Sequence, residues 1–244
     1  MGEKYYYGIL LFVFFIIWSE PTAFSQETDF KSIFGRDWDK AESFIAENEI
    51  WMKHLSDKYN ISFSVAAAVI FPELIRYSAL QDKIEITLLK TLYINLGDDY
   101  ADFSVGPFQM KPSFAETINE KAGSLKDKIR FQFKSSSRPE NIREYRASIV
   151  KDLEEPGSQF LYLICFMKIC ETSYNLEKTD NSFKVRFLSS AYNCGLGKSY
   201  EQINEMSKRR FFNTKLYKTD NYSYSDISLF WYAGYKKNQK QGPD

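Results

Sequence analysis

Apolar positions recur at helical spacing along most of the chain. From Asp37 to Tyr59 they fall at Trp38, Phe44, Ile45, Trp51, Met52 and Leu55, which predicts an amphipathic helix. Residues 62–71 are apolar almost all round, and the alanines at 66–68 favour a buried helix over a strand. Pro72 stands just inside that helix or at its end. Residues 84–96 repeat the amphipathic pattern, and Gly97 suits a left-handed stop. The stretch 98–112 has loop or turn character, after which Ser113 and Glu116 have the spacing of a capping box. Residues 134–138 read as a polar surface loop, and Pro139 opens a charged helix predicted to reach about Leu153. Pro156-Gly157-Ser158 then breaks the chain, with Ser158 able to cap the next helix. Phe160 to Ile169 is nearly continuous hydrophobe, of a length that suits a central core helix rather than a membrane span. Phe183, Phe187, Leu188, Ala191 and Tyr192 form a further stripe, stopped by Gly195, and a short apolar helix is expected near Ile227 to Ala233. No stretch alternates at period two for long. The pattern predicts seven or eight helices and little strand, a mainly α fold.

One segment stands outside this pattern. Lys4 is followed by an apolar or aromatic run from Tyr5 to Trp18, shorter than the roughly 20 residues of a membrane helix. Ala23-Phe24-Ser25 then places small residues at the two positions a signal peptidase reads. The expectation is a signal peptide over residues 1–25, cleaved after Ser25. The mature protein is then periplasmic or secreted and has no integral membrane span. Glu3 beside Lys4 leaves an uncleaved anchor as the alternative.

Composition adds limits. The chain has 244 residues, 44% of them hydrophobic, enough for the core of one domain with appendages. Formal net charge is zero, so nothing overall draws the chain to nucleic acid or to anionic membranes. The basic run Lys208, Arg209, Arg210, Lys215 and Lys218 reads as a solvated surface. Three cysteines, Cys165, Cys170 and Cys194, allow at most one internal disulfide. A bridge from Cys165 or Cys170 to Cys194 and three free thiols both remain open. The single histidine, His54, reads as a surface or core-edge residue, too little for a zinc site or a cysteine nucleophile's partner. No metal or organic cofactor is implied.

Three short segments carry candidate chemistry. In Phe71-Pro72-Glu73-Leu74-Ile75-Arg76 a carboxyl directly follows a buried helix, where desolvation disfavours its charge. A carboxyl that keeps its proton near neutral pH is what glycosidic cleavage needs for the leaving oxygen. The plainer reading is a helix-end glutamate paired with Arg76 at i+3. In Ser104-Val105-Gly106-Pro107-Phe108-Gln109-Met110, Gly106 permits close backbone approach and Gln109 offers a donor and an acceptor. Read plainly, it is a Gly-Pro turn. In Ala191-Tyr192-Asn193-Cys194-Gly195, a tyrosine and an asparagine at a helix end can line a cleft. Read plainly, that is a helix with a glycine stop.

In this order the three segments resemble the soluble-type lytic transglycosylases and the related goose-type lysozymes. That family has a catalytic glutamate ending a buried helix, a Gly-Leu-Met-Gln-type segment, and then Ala-Tyr-Asn-x-Gly. The resemblance spans roughly Ser64 to Gly197. It implies a lysozyme-like helical catalytic domain over 61–198, after a helical extension at 26–60. The tyrosine-rich segment 199–244 would pack on that domain. It further implies cleavage of the β-1,4 bond between N-acetylmuramic acid and N-acetylglucosamine in peptidoglycan strands, with Glu73 as acid and then base. Gln109, Tyr192, Asn193 and the Gly106 backbone would position the sugar. A hydrolase would need a second carboxylate, for which Asp98, Asp99 and Asp102 are candidates, Asp102 lying nearest the Gly106 segment. A non-catalytic wall-binding module is a third reading. The chain departs from the family in having Leu74 where serine usually follows the glutamate. It also carries the extra helix at 84–96, and Pro107-Phe108 in place of Leu-Met.

Overall fold

Residues 62–71 become the middle of the molecule because no face of their helix is polar enough to meet water. Helix α3 (Phe63–Ala79) packs against α2 (Arg36–Lys58), α7 (Pro156–Ser173), α8 (Asn181–Cys194) and α10 (Tyr224–Lys240). The side chains from Val65 to Phe71 are all buried. This computed structural model describes residues 28–79, 83–101, 103–123, 125, 141–214 and 217–241. Among them the chain is mainly α-helical, with ten helices and one two-stranded antiparallel hairpin. The predicted signal peptide, the loop at 134–138, Pro139 and Lys215 lie outside the described residues.

Several boundaries differ from the sequence expectation, each for a local reason. Pro72 does not end α3, which runs on to Ala79. A proline there removes the bond that residue 72 would give the residue 68 carbonyl. Burial on all sides outweighs that loss, since packing rather than propensity holds most helices in proteins. Helix α5 (Pro112–Ala122) begins on Pro112, with no side-chain cap at Lys111, so the capping box of Ser113 and Glu116 is not formed. Glu116 instead accepts a hydrogen bond from the Tyr93 hydroxyl of α4 (Lys83–Leu96). Helix α6 (Ile142–Leu153) starts after an Asn141 cap. Ser158 is likewise no cap: α7 begins at Pro156, whose fixed φ suits a first helical position. The short helix expected near 227–233 is the middle of α10, which a Ser223 side chain caps.

Four elements are not visible in the sequence pattern. Helices α1 (Phe30–Phe34) and α9 (Tyr200–Met206) are too short to display a period. Strands β1 (Arg210–Thr214) and β2 (Tyr217–Ser223) pair with register shifts, which erase the period-two alternation that marks a strand. Their polar sequence conceals one buried anchor, Phe212.

No helix among the described residues is long and apolar enough to cross a membrane. Cys165 and Cys170 are buried and Cys194 is half-buried, all as free thiols. Burial pushes all three thiols up in pKa. A thiol reagent is therefore expected to label one site, Cys194, on the folded protein and three after unfolding. Fewer than three labels on denatured, unreduced protein would reveal a disulfide.

Candidate active site

Glu73 lies in the second half of α3, where the helix leaves the core and meets an open cavity of about 310 Å³. That volume is at the low end for ligand clefts. The wall is formed by Glu73 and Arg76 of α3, the turn at 104–111, the first half of α5, and the end of α8 from Tyr192 to Leu196. Tertiary packing thus gathers Glu73, Gln109, Tyr192 and Asn193 around one space. Gly106, expected to face the sugar, does not line the cavity; its carbonyl accepts a hydrogen bond from the Gln109 side chain. Asp98 and Asp99 are exposed and do not line the cavity, and Asp102 lies outside the described residues. Among the described residues Glu73 supplies the only carboxyl of the wall.

The Glu73 residue is 5% exposed. Burial pushes its pKa up, and this outweighs four opposing influences. The Arg76 guanidinium attracts the charged form and donates from Nη1 to Oε1 at 2.9 Å. The Tyr224 hydroxyl of α10, which donates to the Val69 carbonyl at 3.3 Å, also favours the charged form, and Lys111 adds a weaker attraction. Tyr192 of α8 is the other titratable neighbour, and the Glu73 charge helps hold both tyrosines protonated. The i+3 pairing and the raised carboxyl, alternative readings of the sequence, therefore coexist.

This balance sets a pH dependence of stability. A carboxyl whose pKa is higher folded than unfolded binds its proton more tightly in the folded state. Its contribution to stability is full below the unfolded value near 4.5 and is lost as pH rises through the folded value. Replacing Glu73 by glutamine removes the buried charge. The variant is expected to gain thermal stability relative to wild type as pH rises from 4.5 to 8, read as a widening difference between the two melting temperatures. A difference that stays constant with pH would rule out the raised carboxyl.

The turn that carries Gln109 is held by a residue that no sequence motif pointed to. Val105 and Met110 exchange both backbone hydrogen bonds, at 2.9 and 3.1 Å, across Gly106-Pro107-Phe108-Gln109. Gly106 has φ +67° and Gln109 φ +47°, both left-handed. Gln159, wholly buried in the first turn of α7, clamps this turn. Its Oε1 accepts from the Phe108 N–H at 3.1 Å, and its Nε2 donates to the carbonyls of Val105 at 2.5 Å and Leu153 at 2.8 Å. A Cβ on Gly106 would run into that amide, which is why glycine is needed here. The only hint in the sequence is a lone amide at the head of an apolar helix.

The clamp defines what each wall residue has to offer. Gln109 donates its Nε2 to the Gly106 carbonyl at 2.8 Å, leaving its amide oxygen for a ligand. Tyr192 donates its hydroxyl to the Phe108 carbonyl at 2.9 Å and packs its ring edge-to-face on Phe114 and Phe166. It holds the turn in place as well as lining the wall. Asn193 is half-buried, and no described residue hydrogen-bonds its side chain, so both ends of its amide face ligand or water. The C-terminal segment also takes part. Arg76 lies over the Phe212 ring of β1 at 4.5 Å and the Tyr224 ring at 5.6 Å.

Among the described residues no group of three or more His, Cys, Asp or Glu could hold a metal ion. No protein-family model, curated protein or solved structure matches the chain.

Proposed function

We propose that the protein is an exported enzyme that cleaves peptidoglycan glycan strands as a lytic transglycosylase, on a lysozyme-like helical domain. One observation carries the reading: a single buried carboxyl with a raised proton affinity opens onto a cavity that the amides of Gln109 and Asn193 also line. One carboxyl is enough for this chemistry. Glu73 gives its proton to the leaving O4 as the C1–O4 bond breaks, and the substrate's acetamido group shares the charge that develops at C1. The ionised Glu73 then takes the proton of the 6-hydroxyl as O6 bonds to C1, which closes a 1,6-anhydro ring and restores the acid. Arg76 and the Tyr224 hydroxyl stabilise the carboxylate between the two steps. Gln109 and Asn193 position the N-acetyl sugar, and Tyr192 and Gln159 hold the turn that presents Gln109.

Purified protein incubated with sacculi is expected to release products ending in 1,6-anhydro-N-acetylmuramic acid, read by mass spectrometry. Reducing ends would instead support a hydrolase, with Asp102 as the second carboxylate. The ion pair of Glu73 with Arg76 favours a different reading, a non-catalytic wall-binding module, because an ionised glutamate is no acid. Sacculus binding without any released fragment would support that module and end the enzymatic proposal.

A further inference from the structure

The cavity has more positive charge than acid–base cleavage of a neutral sugar requires. Arg76 and Lys111 both line it, and when Glu73 carries its proton the described wall has no carboxylate of its own. Arg76 is the better defined of the two. Its guanidinium lies over the rings of Phe212 and Tyr224, and only Nη1 is given to Glu73. A guanidinium has five N–H donors in one plane, and no described residue other than Glu73 accepts from it, so its remaining edge can take a carboxylate. A stacked arginine presented in this way matches a flat anion better than a hydroxyl.

We infer that the site takes a glycan bearing a free carboxylate beside the scissile bond, held by Arg76 with Lys111 adding attraction. The inference rests on the proposed cleavage of peptidoglycan. Within that reading it names strands already stripped of their peptides, because the lactyl carboxyl of muramic acid is free only after the peptide amide is removed. The carboxylate then has a second effect. By engaging Arg76 it weakens the largest influence that opposes burial at Glu73, leaving Tyr224 of α10 and Lys111 as the remaining ones that favour the charged form, while Tyr192 of α8 faces the same carboxyl as a protonated phenol. Substrate binding thus favours the protonated acid that the first step needs. Uronate-containing glycans offer the same chemistry from another source.

The test compares three strand preparations: intact sacculi, amidase-stripped strands, and stripped strands whose carboxyls are converted to methylamides. Binding is measured by calorimetry on the Glu73→Gln protein and turnover on wild type. Stripped strands are expected to bind at least about tenfold more tightly than methylamidated ones, the scale of one charge-assisted hydrogen bond. The preference should weaken as salt rises. Arg76→Gln, added to the Glu73→Gln protein, should bring the two affinities within about twofold. Wild type alone also decides the matter, through kcat/KM on stripped against methylamidated strands, should the Arg76 variant fold poorly. Equal affinity for both preparations overturns the inference. A binding preference with no cleavage of any preparation retains the anion site and removes the enzymatic reading. A polymer alternating glucuronate with N-acetylglucosamine, bound as tightly as stripped strands, would assign the site to carboxylated glycans in general.

Discussion

Glu73→Gln is expected to lower lytic turnover at least about 10³-fold while sacculus binding stays within a few-fold of wild type. The amide has the size of the carboxyl and accepts the Arg76 hydrogen bond, so the local packing survives. What disappears is the proton, given in one step and taken back in the other. Loss of a positioned acid or base alone costs about 10²–10⁴. Glu73→Asp keeps the proton but withdraws it by one methylene, and is expected to lose about 10²-fold through misplacement. Release of muropeptides from labelled sacculi measures both. Turnover by Glu73→Gln equal to wild type would end the assignment of Glu73. Loss of turnover together with loss of the folded state would show only that the helix was damaged, so near-ultraviolet circular dichroism accompanies the assay.

Gln159→Leu is expected to destabilise the protein by about 3–5 kcal/mol, a melting point lower by roughly 10 °C or more. The side chain satisfies one backbone N–H and two carbonyls in a fully buried place. Each of these groups left without a partner costs about 1–3 kcal/mol, and partial relaxation of the turn recovers some of the sum. Gly106→Ala is expected to act in the same direction, since its methyl group meets the same amide at a backbone angle that disfavours any Cβ. Denaturant titration reads both variants. A Gln159→Leu protein within about 1 kcal/mol of wild type would show that the turn holds itself. Because the turn presents Gln109, both variants should also weaken sugar binding at temperatures where they remain folded.

The sequence and the structure agree most closely where contacts are near in sequence. The 3.6-residue spacing of Trp38, Ile45 and Met52 is enough to place α2, and the continuous apolar run is enough to bury α7. Gly97 takes the left-handed stop expected of it. Errors gather at helix starts. There, a polar side chain has more than one available partner, and the choice is made by whatever lies opposite. Glu116 had the spacing of a capping residue but faces Tyr93 of another helix. Proline at the first position began α5 and α7 without help from Ser113 or Ser158. Residues 199–244 were the least readable. The irregular hairpin register hides the strands, and the value of Phe212 depends on an arginine more than a hundred residues earlier.

For the candidate site, a carboxyl after an apolar helix, an amide in a glycine turn, and a tyrosine–asparagine pair at a helix end are each visible as local pattern with a plain structural reading, and only their order and the resemblance it carries singled out Glu73, Gln109, Tyr192 and Asn193. Their convergence on one cavity was decided by packing: α3, α5 and α8 bring together segments separated by up to about 120 residues. Packing also decided what each residue can do. It committed the Tyr192 hydroxyl to the turn, set Tyr224 from the far end of the chain beside Glu73 and Arg76, and made Gln159 the support of Gln109. Side-chain type is a property of position in the chain. Burial, hydrogen-bond partner and proton affinity belong to position in space, and only the tertiary structure sets them.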